Sequence, residues 1–208
     1  SFLFISDLKV KSKNHYTINY FELYKGALMY TDRIYTFGIV PDFLQGATYI
    51  RTACDDKLLK GDNLLSFTVN QDVSVYIAHD DRQPIPKWLK EYKIINDKIQ
   101  YFEQAYVVEF YNGRKRNVVL RNIDDKKIRY STEGYISREK IKKFYKASEY
   151  IRQQMEDAHS PLFSIYKKDF SAGKITLGGH IDQEYFSSAM YIVIIVPKQE
   201  IKIAEEQI

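Results

Sequence analysis

The sequence predicts a mainly β fold, an antiparallel sandwich or barrel, interrupted by a basic segment that closes on a helix. Three observations carry this expectation. Short apolar runs alternate with period two and are bounded by turn residues, as in residues 64–69 and 73–78 on either side of Asn70-Gln71-Asp72. The chain holds 18 Tyr and 12 Phe in 208 residues, a composition suited to half-buried sheet surfaces. The formal charge of +4 is also localised: residues 101–160 carry 13 Lys and Arg against 9 Asp and Glu, and the rest of the chain carries 18 against 18. Sequence character changes over the same segment, which therefore reads as a separate unit.

Along the chain, residues 30–37 form a β-rich run followed by Gly38 and Pro41, and residues 47–53 resume the alternation. Asp55-Asp56-Lys57 and Gly61-Asp62-Asn63 bracket a turn region before residues 64–69. In residues 73–78, Val73, Val75 and Ile77 share one strand face, and Ser74, Tyr76 and Ala78 share the other. His79-Asp80-Asp81-Arg82 then breaks the pattern, and Pro84 and Pro86 bar a helix or a central strand before Trp88, the one tryptophan.

In the basic segment, Val108 and Phe110 lead to Asn112-Gly113, a strong hairpin signal. Asp124-Asp125 and Glu133-Gly134 mark two further turns around residues 127–130 and 135–136. Ser137 is placed to N-cap a helix over about residues 138–158, with Ile141, Phe144, Tyr145, Ile151 and Met155 at helical spacing. Strand character returns at residues 162–166, 174–177 and 190–196, with Gly178-Gly179 as a turn. The apolar run MYIVIIV is expected to be a central strand, and Ile201 and Ile203 suit an edge strand.

Several chemistries find no support. The four histidines lack metal-ligand spacing, and no GxSxG, HExxH, Walker or GxGxxG pattern occurs, so no catalytic residue and no metal site is assigned. Asp55-Asp56 and Asp80-Asp81 offer hard oxygens for calcium, but neither fits an EF-hand loop and Lys57 and Arg82 adjoin them, so solvated turns or Asp-Arg pairs fit better and no cofactor is expected. Cys54 is the lone cysteine and excludes an intrachain disulfide. No run approaches the length of about 18 apolar residues that a transmembrane helix needs, and no export signal is legible in SFLFISDLKV. A surplus of +4 spread over residues 101–160 is weak for nucleic-acid binding.

The strings GALMYTDRIYTF, VPDFLQGATYIRTACDDK, LLSFTVNQDVSVYIAHDDRQPIPKWL and FSIYKKDFSAGKITLGG, followed by MYIVIIV, resemble a β-sandwich module of exported bacterial proteins, often found beside carbohydrate-active or fibronectin-type domains. The resemblance covers roughly residues 2–92 and 161–197. Residues 101–160 more weakly resemble a small SH3-like barrel set into a loop of that module. The resemblance implies a structural pairing of Asp81 with Arg82 at the strand end and an extracytoplasmic location.

The resulting expectation is an antiparallel jelly-roll-like β-sandwich built from residues 1–100 and 161–208, with residues 101–160 inserted as a small β-barrel or meander plus one α-helix. The expected function is non-catalytic binding. One reading is recognition of a polysaccharide through Tyr76, Asp80, Arg82 and Trp88, since sugars stack on aromatic faces while short polar groups bond their hydroxyls. The other is a structural subunit of a cell-envelope or extracellular assembly, docked to partner proteins through a sheet edge or the helix with Lys142, Lys143 and Lys146.

Overall fold

The computed structural model describes residues 2–33, 35–102, 106–111, 114–124, 127–130, 135–137, 161–186 and 188–198, with backbone alone for residues 102–137. Fourteen strands follow in order: β1 (Ile5–Val10), β2 (Thr17–Asn19), β3 (Thr36–Ile39), β4 (Thr48–Arg51), β5 (Leu65–Val69), β6 (Val73–Asp80), β7 (Lys93–Phe102), β8 (Tyr106–Tyr111), β9 (Arg114–Asp124), β10 (Lys127–Tyr130), β11 (Tyr135–Ser137), β12 (Leu162–Phe170), β13 (Gly173–Leu177) and β14 (Ile192–Pro197). They form sheets ordered β2-β4-β14-β6-β12-β7-β3, β1-β5-β13 and β11-β10-β9-β8. The only helical elements among the described residues are three short 3-10 turns, Asp42–Leu44, Cys54–Leu58 and Lys87–Glu91. None is long and apolar enough to cross a membrane. The helix expected over residues 138–158, with Lys142, Lys143 and Lys146, and the edge strand at Ile201 and Ile203 lie outside the described residues.

The seven-stranded sheet is organised around β6, all eight residues of which are buried. It pairs with β14 on one side, Ile194 opposite Tyr76, and with β12 on the other, Ile165 opposite Ala78. Residues from both ends of the chain thus share one sheet. MYIVIIV supplies β14, an interior strand as expected, and its near-continuous apolar run reflects burial on both faces. The strand predicted to stop at Ala78 continues through His79 and Asp80, because Ser164 and Phe163 of β12 complete the ladder opposite them.

This sheet curls. Phe37 of β3 meets Tyr49 of β4 edge to face at 5.3 Å, although β14, β6, β12 and β7 lie between those strands in the order. Single bridges from Leu28 to Thr36 and from Tyr30 to Thr52 join the two flanks. The register sets Phe37, Tyr49, Tyr76, Ala78, Asp80, Tyr101, Phe163, Ile165 and Ile194 on the concave face. The three-stranded sheet buries Ile5, Leu65, Phe67, Val69, Ile175 and Leu177 in the same continuous core as the larger sheet. Its other face carries Ser6, Lys9, Ser66, Thr68, Lys174 and Thr176.

β7 and β12 pair with Gln100 opposite Leu162, so the chain leaves and re-enters the curled sheet on adjacent strands. Tyr101 and Phe102 still belong to β7. Between these points β8 to β11 form their own antiparallel meander. Tyr111 stands opposite Arg114 on either side of the Asn112-Gly113 signal, and Lys127 stands opposite Asp124 at the next turn.

Candidate functional site

β6 sends the four residues expected to form one sugar-binding patch to different surroundings. Tyr76 is only 9% exposed. It lies edge-on to Phe43 at 5.6 Å, with the Lys167 ammonium 5.8 Å from its ring centre. Asp80, two residues on and on the same face, is fully buried. It accepts hydrogen bonds from Arg82 Nε (3.0 Å), Arg82 Nη2 (2.7 Å), the Arg82 backbone N–H (2.9 Å) and the Ala189 backbone N–H (2.8 Å). The pairing expected between Asp81 and Arg82 is therefore corrected: Arg82 folds back onto Asp80. Strand alternation turns Asp81 toward the neighbouring strands, where it accepts from Ser164 Oγ and from Lys98 Nζ, each at 2.5 Å. These bonds, with the ammonium beside it, outweigh the effect of burial and hold the Asp81 carboxyl below the usual carboxylate range.

Trp88 belongs to the opposite side of β6. It stands on the 3-10 turn Lys87–Glu91 and packs edge-on against Tyr92 (5.7 Å) and Tyr191 (5.6 Å), and its indole N–H donates to the Gly179 carbonyl at 2.8 Å. Its ring covers Gly178 so closely that a Cβ there would lie 2.3 Å from Trp88 Cδ1. Gly178 is therefore a close-approach glycine beneath an aromatic plug, and half-buried Trp88 is part of the packing around the core. Beside it His79 and His180 stack at 4.3 Å. His79 Nε2 lies 2.9 Å from the His180 carbonyl, to which it donates. His180 Nδ1 accepts from the Tyr191 N–H at 3.2 Å, which assigns its proton to Nε2, 3.0 Å from Ser188 Oγ. Burial lowers the pKa of both imidazoles, that of His180 strongly, with His79 adding to the shift.

The acidic pairs weighed for calcium are taken up by protein donors. Buried Asp56 accepts from Tyr16 Oη (2.5 Å), Asn14 Nδ2 (2.6 Å) and Ser12 Oγ (2.7 Å), and Asp55 pairs with Arg33 at 2.6 Å. Among the described residues no group of three or more His, Cys, Asp or Glu gathers at metal-binding distance. Burial raises the Cys54 thiol pKa and makes it a poor nucleophile.

An open pocket of about 200 Å³ lies nearby, between the turn Gln83–Lys90 and the loop Asp182–Phe186. Gln83, 4% exposed, ties the two together. Its Oε1 accepts from the Phe186 N–H at 2.7 Å and its Nε2 donates to the Glu184 carbonyl at 3.1 Å. Asp182 Oδ2 adds a second tie by accepting from the Lys87 N–H. Phe186, 52% exposed, offers an aromatic face, while the side chains of Lys90, Gln183 and Glu184 are exposed and make no hydrogen bond or ion pair among the described residues. The pocket thus presents a free cation, amide and carboxylate around one ring. Half of it falls in the DDRQPIPKWLK stretch. The other half, IDQEYF, carried no expectation from the sequence, although an aromatic beside short polar residues was its available signal.

No family model matches the chain. A β-glucuronidase of Formosa agariphila is 29% identical over 75 residues, which are 36% of this chain and 8% of that protein. Among solved structures, a β-glucuronidase from glycoside hydrolase family 2 matches 92% of this chain with a TM-score of 0.60 at 16% identity, over 14% of its own length. A GH138 enzyme targeting pectin rhamnogalacturonan II gives a TM-score of 0.42, too low to carry an argument. The chain spans a small fraction of each of these proteins. The fold, close to whole, occurs as one part of a much larger glycoside hydrolase.

Proposed function

We propose that this chain is a non-catalytic, carbohydrate-associated module with a jelly-roll-like β-sandwich, belonging to a larger extracytoplasmic carbohydrate-active protein, and that it recognises glycan in the Gln83–Phe186 pocket. The observation that carries this reading is the pocket itself. An exposed phenyl ring can stack on the apolar face of a sugar while Lys90, Gln183 and Glu184, free of internal partners among the described residues, reach its hydroxyls. The same groups argue against hydrolysis, which needs two carboxylates flanking one bond, one of them held protonated by burial or by a neighbouring charge. Asp182 is occupied by the Lys87 N–H, and Glu184 stands on an exposed loop. Relatives named as β-glucuronidases make uronic-acid-containing glycans the first ligands to try, with Lys90 facing the carboxylate.

Affinity electrophoresis through gels containing neutral or acidic polysaccharides tests this. At least one gel should retard the wild-type chain, and Phe186→Ala should weaken that retardation roughly tenfold while shifting Tm by no more than about 2 °C, since an exposed ring leaves no core cavity. Unchanged retardation of Phe186→Ala would remove the pocket as the binding site.

A further inference from the structure

The outer face of the three-stranded sheet carries a second constellation. Lys9 of β1 stands opposite Ser66 of β5, Ser66 stands opposite Thr176 of β13, and Lys174 of β13 stands opposite Thr68. With Lys11, just beyond the end of β1, the two strand lysines border an open groove of about 280 Å³ that Ser66, Asn63 and Leu64 also line. All three lysines are exposed, and none has an ion-pair partner among the described residues. Some other cations among the described residues are paired, Lys98 with Asp81, Lys168 with Glu91, Lys198 with Asp169 and Arg33 with Asp55. Others, Lys90 among them, are not; what sets these three apart is that they border one groove. A trio of uncompensated ammonium groups around one groove, floored in part by Val10 and Leu64, concentrates a positive potential although charges outside residues 101–160 balance overall.

We infer that this groove binds an anionic polysaccharide, its carboxylate or sulfate groups meeting Lys9, Lys11 and Lys174 and its hydroxyls meeting Asn63 and Ser66. No aromatic side chain lines the groove, so the base stacking on which single-strand nucleic-acid binding depends is missing there. The competing explanation is protective: β1 and β13 are the edges of their sheet, and lysines on edge strands discourage pairing with other chains.

The two are separated by comparing the wild-type chain with Lys9→Gln/Lys11→Gln/Lys174→Gln in gels containing polygalacturonate, dextran sulfate or neutral dextran. A charge-matched control, Lys25→Gln/Lys60→Gln/Lys93→Gln, corrects for the lost charge. The wild type and the control should be retarded in one or both acidic gels and not in dextran, with polygalacturonate and dextran sulfate distinguishing carboxylate from sulfate. The groove variant should be retarded about tenfold more weakly, as loss of three exposed charge contacts implies. Phe186→Ala should leave retardation by dextran sulfate unchanged, which keeps the groove distinct from the pocket, whose expected ligand is a uronic-acid glycan. The inference is overturned if the groove variant is retarded like the control, if neither acidic gel retards the wild type, or if duplex DNA competes as well as the polysaccharide. A groove variant that only self-associates in light scattering, with binding intact, establishes edge protection instead.

Discussion

The two faces of β6 bury polar groups by opposite means. On the concave face Asp80 is taken out of water, its oxygens answered by the guanidinium of solvent-exposed Arg82 and by two backbone donors. On the other face His79 and His180 are stacked and kept neutral, each directed at a carbonyl or hydroxyl acceptor. Adjacent residues in the sequence, His79 and Asp80, therefore answer to different chemistry. Breaking the charged network leaves a buried backbone donor without its acceptor, whereas a neutral network is broken by supplying a proton.

The largest effect should come from Asp80→Ala, which leaves the buried Ala189 N–H without its acceptor and removes the charge-assisted bonds from Arg82. A loss of about 4 kcal/mol is expected in urea unfolding, and a loss below ~1 kcal/mol would mean that the network contributes little. Trp88→Ala should cost about 3 kcal/mol, because it uncovers Gly178 and leaves the Gly179 carbonyl without its indole donor. A variant that keeps the wild-type melting curve would return Trp88 to the surface.

The histidine face should appear as a pH dependence. Both folded-state pKa values lie below the unfolded value of about 6.5. The unfolded chain therefore binds protons that the folded chain refuses. Stability from this source is complete above about pH 6.5 and declines as pH falls below it, with a limiting slope of about 2.7 kcal/mol per pH unit for two protons. His180→Gln should roughly halve that slope. An unchanged slope would assign the acid sensitivity to other groups.

The smallest effect is expected from removing residues 103–160 and joining β7 to β12 through a short Gly/Ser linker. Those strands already pair at Gln100 and Leu162, so the deletion turns a long excursion into a hairpin and should change stability by only ~1 kcal/mol. Loss of a cooperative thermal transition would show that the inserted residues are required for folding.

How much of this was legible in the sequence depends on the strand. β5, β6, β13 and β14 announce themselves through alternation or a continuous apolar run bounded by turn residues. β1, β2 and β7 do not. Asp7 sits at φ 53° where the register of β1 shifts, β2 has only three residues, and Asn96-Asp97 interrupts β7 in mid-strand. The expected sugar patch misplaced its members for a related reason. Tyr76 and Asp80 share one strand face, whereas Trp88, beyond two prolines, returns to the other, and no local pattern fixes that return. The pocket depends on Gln83 reaching Glu184 and Phe186 about a hundred residues later. The polar turn was visible, but its partner loop was not, because the curled sheet alone brings them together.

The most direct measurement is a backbone amide chemical-shift titration of the full chain with an oligosaccharide cut from whichever polysaccharide retains it. Saturable shifts should concentrate on Gln83, Lys90, Gln183, Glu184 and Phe186, and Phe186→Ala should erase them. Shifts gathered instead around Phe43 and Tyr76 on the concave side of β6, with the pocket unmoved, would contradict the account.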